Sequence, residues 1–159
     1  MSFATFSGPI RSGTVRYGAG RNTGLMMLNQ SYDTGDLTGT VVGNTDGARF
    51  ILPQGSQIVN ILVDQVVAAT AGTMTISVGT TSGGAELMAA TATTAGGRFT
   101  GTTTAATQLA WQTSTTADTT VYVRVAVGTA TLTAGRAIVT IVYAQRAENG
   151  AQNPTAFQN

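Results

Sequence analysis

A chain of 159 residues with eight arginines, no lysine and seven acids carries a net charge of +1, which excludes a general nucleic-acid binder and suits one domain with a sizeable core. Charged residues make up only 9% of it, well under the roughly 25% usual for globular domains, so Thr, Ser, Asn and Gln must build the polar surface. It has no His and no Cys, which removes the usual general base, the commonest metal ligand, the disulfide frame and the thiolate metal site together.

A surface so poor in charge is a solubility risk for a lone monomer, and this points to cover by partners in an assembly. No apolar run approaches the ~20 residues needed to cross a bilayer, so no membrane partner is expected. MSFATFSGPIRSG lacks the basic start and apolar run of a signal peptide, and the expectation is a soluble protein made in a cytoplasm.

In chain order, residues 1–35 read as an extended arm: SGPIRSGTVRYGAGRNTG is rich in Gly, has three Arg and no acid, and shows no sustained period. Arg11, Arg16, Tyr17 and Arg21 are the candidate partner-contacting residues, because Arg and Tyr offer area and hydrogen bonds together where protein surfaces meet. Leu25-Met26-Met27-Leu28 forms an apolar patch suited to anchoring the arm on the body or on a neighbour. The β-body is expected over residues 36–146, and the polar stretch 147–159 reads as a tail.

Within the body, LTGTVVG (37–43) predicts a strand, NTDG (44–47) a turn, and ARFIL (48–52) a second strand closed by Pro53-Gln54-Gly55. The long run 57–68, QIVNILVDQVVA, predicts a strand by its β-branched content, with Val59, Ile61, Val63 and Val67 on one face. Ala71-Gly72 turns the chain into TMTISVGT, where Met74, Ile76 and Val78 alternate with polar or small residues. TTSGG (80–84) is the next turn, before AELMAAT; residues 91–106 predict loop with a short strand around Arg98-Phe99, and residues 108–112, around Trp111, another short strand.

The clearest signal lies in residues 119–145. Val121, Val123, Val125 and Val127 share one face of a strand, and Val139, Ile141 and Tyr143 share one face of a second. The eight-residue GTATLTAG between them is long for a tight hairpin, so the two strands either pair directly or lie in facing sheets. The fold class is all-β: a single antiparallel β-sandwich or jelly roll with an extended N-terminal arm, its strand signals recurring at the spacing of those folds.

Three motifs carry possible chemistry. Asp33-Thr34-Gly35 matches the aspartic-protease tripeptide, but Ser31-Tyr32 stand where an apolar strand should precede it, so a turn is expected. Asp33, Asp36, Asn44 and Asp46 could offer oxygen ligands to Ca²⁺, yet their spacing does not follow a calcium loop. Gly18–Gly24 lacks the strand, helix and Lys of a phosphate loop. Ser and Thr nucleophiles have no His or Lys to activate them. No enzyme, no metal and no cofactor are expected.

An arm opening SGPIRSGTVRYG, a Thr/Val-rich β-body and a polar tail resemble the decoration, or cement, proteins of tailed-bacteriophage capsids. The resemblance covers the whole chain in style. It implies a homotrimer at local three-fold sites on the outer capsid surface, binding the major capsid protein and holding capsomers against internal DNA pressure, with synthesis in the host bacterial cytoplasm. A phage tail or receptor-binding β-module contacting host glycans is the alternative, and it would expose aromatic platforms. A secreted carbohydrate-binding module would carry more Trp and Tyr, and a capsid subunit itself would show helical patterns.

Overall fold

In a computed structural model, residues 25–100, 110–111 and 117–146 are described. They form eight strands: β1 (Leu25–Asp33), β2 (Gly43–Leu52), β3 (Ser56–Thr70), β4 (Thr73–Gly79), β5 (Met88–Ala92), β6 (Gly97–Thr100), β7 (Thr119–Gly128) and β8 (Ala134–Arg146). Two four-stranded antiparallel sheets result, one ordered β1-β8-β3-β6 and the other β2-β7-β4-β5. Successive strands thus alternate between sheets except at β4–β5, and the order is that of the eight-stranded jelly roll. The first sheet is called sheet A below and the second sheet B.

The core lies between the sheets and comes from the period-2 pattern of the sequence. Val121, Val123, Val125 and Val127 line the inner face of β7, with Met74, Ile76 and Val78 beside them on β4. Sheet A answers with Ile61 and Val63 from β3 and Val139, Ile141 and Tyr143 from β8. Each fully buried side chain of this size contributes about 1.5–3 kcal/mol relative to exposure. The two central strands do not pair with each other. β7 sits inside sheet B and β8 inside sheet A, so residues 129–133 cross the end of the sandwich.

Several expectations are corrected. The β-body begins at Leu25, because residues 25–33, read as part of the arm, form β1 and pair with residues 138–146 of β8. Its polar look comes from its position at the edge of sheet A: Leu28 and Tyr32 pack on the core while the alternate residues face outward. Residues 37–42 are not a strand. They cross from sheet A to sheet B, tied by Leu37 N–H to the Gly135 carbonyl (2.9 Å) and by Gly39 and Thr40 to Leu132. Residues 44–47 are not a turn but part of β2, where Asp46 stands opposite Arg124. Ala110 and Trp111 are helical, and the buried indole N–H donates to the Leu87 carbonyl at 2.7 Å.

The alternation on β3 is broken three times. Register shifts against β8 fall between Ile58 and Asn60, between Gln65 and Val67, and between Val67 and Thr70. A bulge sets two residues against one. Val59 therefore joins Asn60, and Val66 joins Val67, on the outward side, whereas Ile61, Val63 and Gln65 point in. Val59 and Val67, expected on the same face as Ile61 and Val63, are exposed for this reason.

One corner of the sandwich is stitched by side chains. The Gln30 amide of β1 donates to the Ile51 carbonyl (2.7 Å) and accepts the Ile51 N–H (3.3 Å), taking the place of a strand partner for the edge of β2. Arg49, at a bulge in β2, lies 4.4 Å above the Tyr32 ring of β1. These contacts cover an edge that would otherwise offer unpaired backbone groups.

Candidate interaction surface

The strand registers define the outward face of sheet A row by row. Met27 of β1 lies beside Ala144 of β8, which lies beside Gln57 of β3. The next row is Asn29, Val142 and Asn60, with Val59 added by the bulge. Ser31, Thr140, Leu62 and Thr100 follow, the first two joined through their hydroxyls at 2.9 Å. Asp33, Ile138, Asp64 and Arg98 make the fourth row, and Arg136 with Val67 a fifth.

The face mixes apolar and uncharged polar side chains in its first three rows and is charged only at one end. Four of the seven exposed large apolar side chains among the described residues, Met27, Val59, Val66 and Val67, stand on it, so the apolar exposure is concentrated there. Leu62, Ile138 and Val142 are half-buried among them. No charged side chain occurs in the first three rows as described. Exposed apolar side chains gathered on one face mark a place where another surface rests.

At the charged end, two ion pairs lie side by side. Arg136 holds Asp33 through Nη2 to Oδ2 (2.5 Å) and Nε to Oδ1 (3.1 Å), and Arg98 holds Asp64 through Nε to Oδ1 (2.6 Å) and Nη2 to Oδ2 (3.0 Å). Hydrogen bonds from Arg136, then the Gly35 N–H, lower the Asp33 pKa to about 2. The Arg98 hydrogen bonds likewise lower that of Asp64.

A folded pKa below the unfolded one stabilises above the unfolded value, and the gain is lost as pH falls through the folded value. For Asp33 that window runs from 3.8 down to about 2. The Asp33→Asn variant is expected to show a flatter dependence of melting temperature on pH across this window, with no such difference from the unsubstituted chain between pH 6 and pH 8. Equal slopes in the acid window would show that the ion pair contributes nothing.

The same geometry disposes of two chemical readings. Asp33 Oδ1 accepts the Gly35 N–H at 2.9 Å, with Gly35 at φ +72°, so Asp33-Thr34-Gly35 is a turn. Asp36 closes a second turn by accepting the N–H and hydroxyl of Thr38, which lower its pKa. A protease dyad needs one carboxyl of raised pKa sharing a proton, and here both are pushed down. The four candidate calcium ligands do not converge: Asp33 belongs to Arg136 and Asp46 to Arg124 (3.7 Å). No group of three or more His, Cys, Asp or Glu that could hold a metal occurs among the described residues.

Arg11, Arg16, Tyr17 and Arg21 lie outside the described residues. The outward face of sheet A was missed by sequence reasoning because its rows join four strands distant in the chain. The alternation of Ile138, Thr140 and Val142 with buried neighbours was its one visible trace. No described helix is long and apolar enough to cross a membrane.

No known protein family matches the chain, and no curated protein is similar to it. Two solved structures are similar in fold. A chain of the acidic stable capsid structure of Helicobacter pylori bacteriophage KHP30 is 15% identical, with a TM-score of 0.47 over 79% of this chain and 99% of that one. A chain of the cyanophage Pam1 capsid asymmetric unit is 20% identical, with a TM-score of 0.47 over 84% of this chain and 94% of that one.

Proposed function

We propose that this chain is a structural virion protein that decorates and cements the outer surface of a tailed-phage capsid. The observation that carries the reading is the outward face of sheet A, where exposed apolar side chains gather and charge is confined to one end, on a jelly roll without a catalytic group among its described residues. Such a face serves contact and not chemistry. The fold alone decides nothing, since jelly rolls serve many roles. The whole-chain resemblance to decoration proteins supplies the partner, the major capsid protein, and implies self-association at local three-fold sites. Neither an enzymatic activity nor a cofactor belongs to this reading.

The glycan-binding alternative needs aromatic platforms, and among the described residues no aromatic side chain is in the exposed class. Trp111, the one tryptophan, is buried and committed to Leu87. This observation favours the decoration reading over the tail module.

In this reading Arg11, Arg16, Tyr17 and Arg21 engage carboxylates and carbonyls of the capsid, where Arg offers several planar donors at once. Several arms on one oligomer would multiply a modest contact if their spacing matches the lattice. Deleting residues 1–21 stops short of β1, so the jelly roll should keep its melting temperature. Attachment to expanded capsids, followed by co-sedimentation, should fall by at least about 100-fold. Wild-type attachment by the truncated chain would move the capsid contact onto the β-body, and failure of the full chain to bind any capsid would end the reading.

A further inference from the structure

We propose that two copies of this chain pair through the outward faces of sheet A, about a two-fold axis running along the strands. The inference rests on the order of charges at the end of that face and does not depend on the capsid reading. Across the sheet, from β1 through β8 and β3 to β6, the charges are Asp33, Arg136, Asp64 and Arg98; Arg136 stems from the fifth row and its guanidinium reaches the fourth through its bond to Asp33. Their signs run minus, plus, minus, plus.

A two-fold axis along the strands reverses this order while keeping every row opposite its own copy. Minus, plus, minus, plus then faces plus, minus, plus, minus. Asp33 of one copy meets Arg98 of the other in the same row, and the Arg136 guanidinium, drawn to that row by Asp33, comes to the side where Asp64 stands. Each in-chain ion pair lies against an oppositely directed pair, so all four charges gain a second partner of the right sign. An isologous contact demands a self-complementary patch, and an order of four signs that inverts on reversal is one. A three-fold contact would set this face against a different surface and would gain nothing from that order. The inference therefore favours pairing of order two over the order three that the resemblance implies.

The rest of the face fits. Its first three rows carry no described charge, so they meet their own copy without stranding an ion. Sheets pack face to face about 10 Å apart with strands nearly aligned, the arrangement that such an axis produces. Three strands at about 4.8 Å spacing over nine residues, with the four residues of β6 beside them, cover roughly 500 Å², and two such faces bury about 1,000 Å², the size at which specific interfaces begin. The pair is therefore reversible, with the charges setting register more than affinity.

The test is the mass of the full chain by sedimentation equilibrium across micromolar concentrations. The expected limit is twice the 16.2 kDa of one copy. Asp33→Arg alone and Arg98→Asp alone each place like charges opposite one another, twice per dimer, and should weaken pairing by about ten-fold or more. The double variant, Asp33→Arg with Arg98→Asp, restores opposite signs across the axis although both in-chain pairs stay broken. It should return pairing to within about three-fold of the unsubstituted chain. Val142→Arg, on the half-buried outer face, should leave a folded monomer and serves if either charge variant fails to fold.

A monomeric mass at every concentration overturns the inference, as does a limit of three copies. A double variant that pairs no better than either single does so too, since a merely structural role predicts additive loss. A dimer in solution whose full chain binds no capsid would sink the decoration reading alone, and a monomer that still coats capsids would sink this one alone.

Discussion

Ile141→Ala should lower the free energy of unfolding by about 3–4 kcal/mol, inside the 2–5 kcal/mol typical of buried Ile-to-Ala changes. Ile141 has no exposed surface and sits mid-strand on β8, the second strand of sheet A, with Gln30 and Ile61 as its register partners on either side. Truncation removes three carbons at a point where strands on both flanks hold the backbone in place, so the cavity cannot collapse. At roughly 2–4 °C per kcal/mol for a chain of this size, the melting temperature should fall by about 6–16 °C. Val142→Ala, one residue on, faces outward and is half-buried; it should cost about 1 kcal/mol or less. Thermal and denaturant unfolding of the two variants side by side would check this. Equal losses would mean that β8 is not sided in the way its register requires.

This contrast between adjacent residues was legible in the sequence, because strict alternation survives wherever a strand is continuous. Val121 to Val127 and Met74 to Val78 were placed on their faces correctly for that reason. The turns at Pro53–Gly55 and Ala71–Gly72 were legible from residue chemistry, and Gly55 adopts φ +75° with the Ser56 N–H bonded to the Pro53 carbonyl. What failed had physical causes. An edge strand such as β1 buries only one side of a polar-looking segment, so its pattern resembles a tail. Asn44–Gly47 carries turn residues, but pairing with β7 overrides their preference. Bulges have no residue signature, and those on β3 shifted the phase of a run that looked regular.

The interaction surface was less legible than the fold. Asp33, Asp64, Arg98 and Arg136 come from four strands, and no pairwise spacing in the chain shows that they gather at one end of a sheet. Low charge gave the general expectation of an assembly, and the register supplied the particular face. The bulges link the two: the irregularity that broke the sequence pattern on β3 is what puts Val59 and Val66 outside. Bulges often re-aim side chains for a purpose, and here they enlarge the apolar part of the face proposed to pair.

Gly72→Ala should destabilise the chain by about 3 kcal/mol, at the top of the range usual for overpacking. Gly72 is buried in the two-residue connection between β3 and β4, where the chain passes from sheet A to sheet B. A Cβ there would lie 2.3 Å from the Ala130 carbonyl oxygen, 2.9 Å from that of Gly128 and 3.1 Å from Leu132 Cδ2. The first two are backbone atoms of the β7–β8 connection and cannot rotate away. That connection is itself pinned, since the Gly128 carbonyl accepts the Ala130 N–H at 2.8 Å and the Thr129 hydroxyl at 2.6 Å. Leu132 is fully buried behind it and bonded through its N–H to Thr40, so retreat would disturb a third segment as well. The neighbouring position gives an internal control. Ala71 has φ 70°, a conformation that suits glycine better than alanine. Ala71→Gly relieves that strain but loosens the unfolded chain, so its effect should stay within about 1 kcal/mol of zero. Urea unfolding of both variants separates the cases. If Gly72→Ala unfolds within about 0.5 kcal/mol of the unsubstituted chain, ordinary for a surface change, the two connections at this end of the sandwich are not packed against each other.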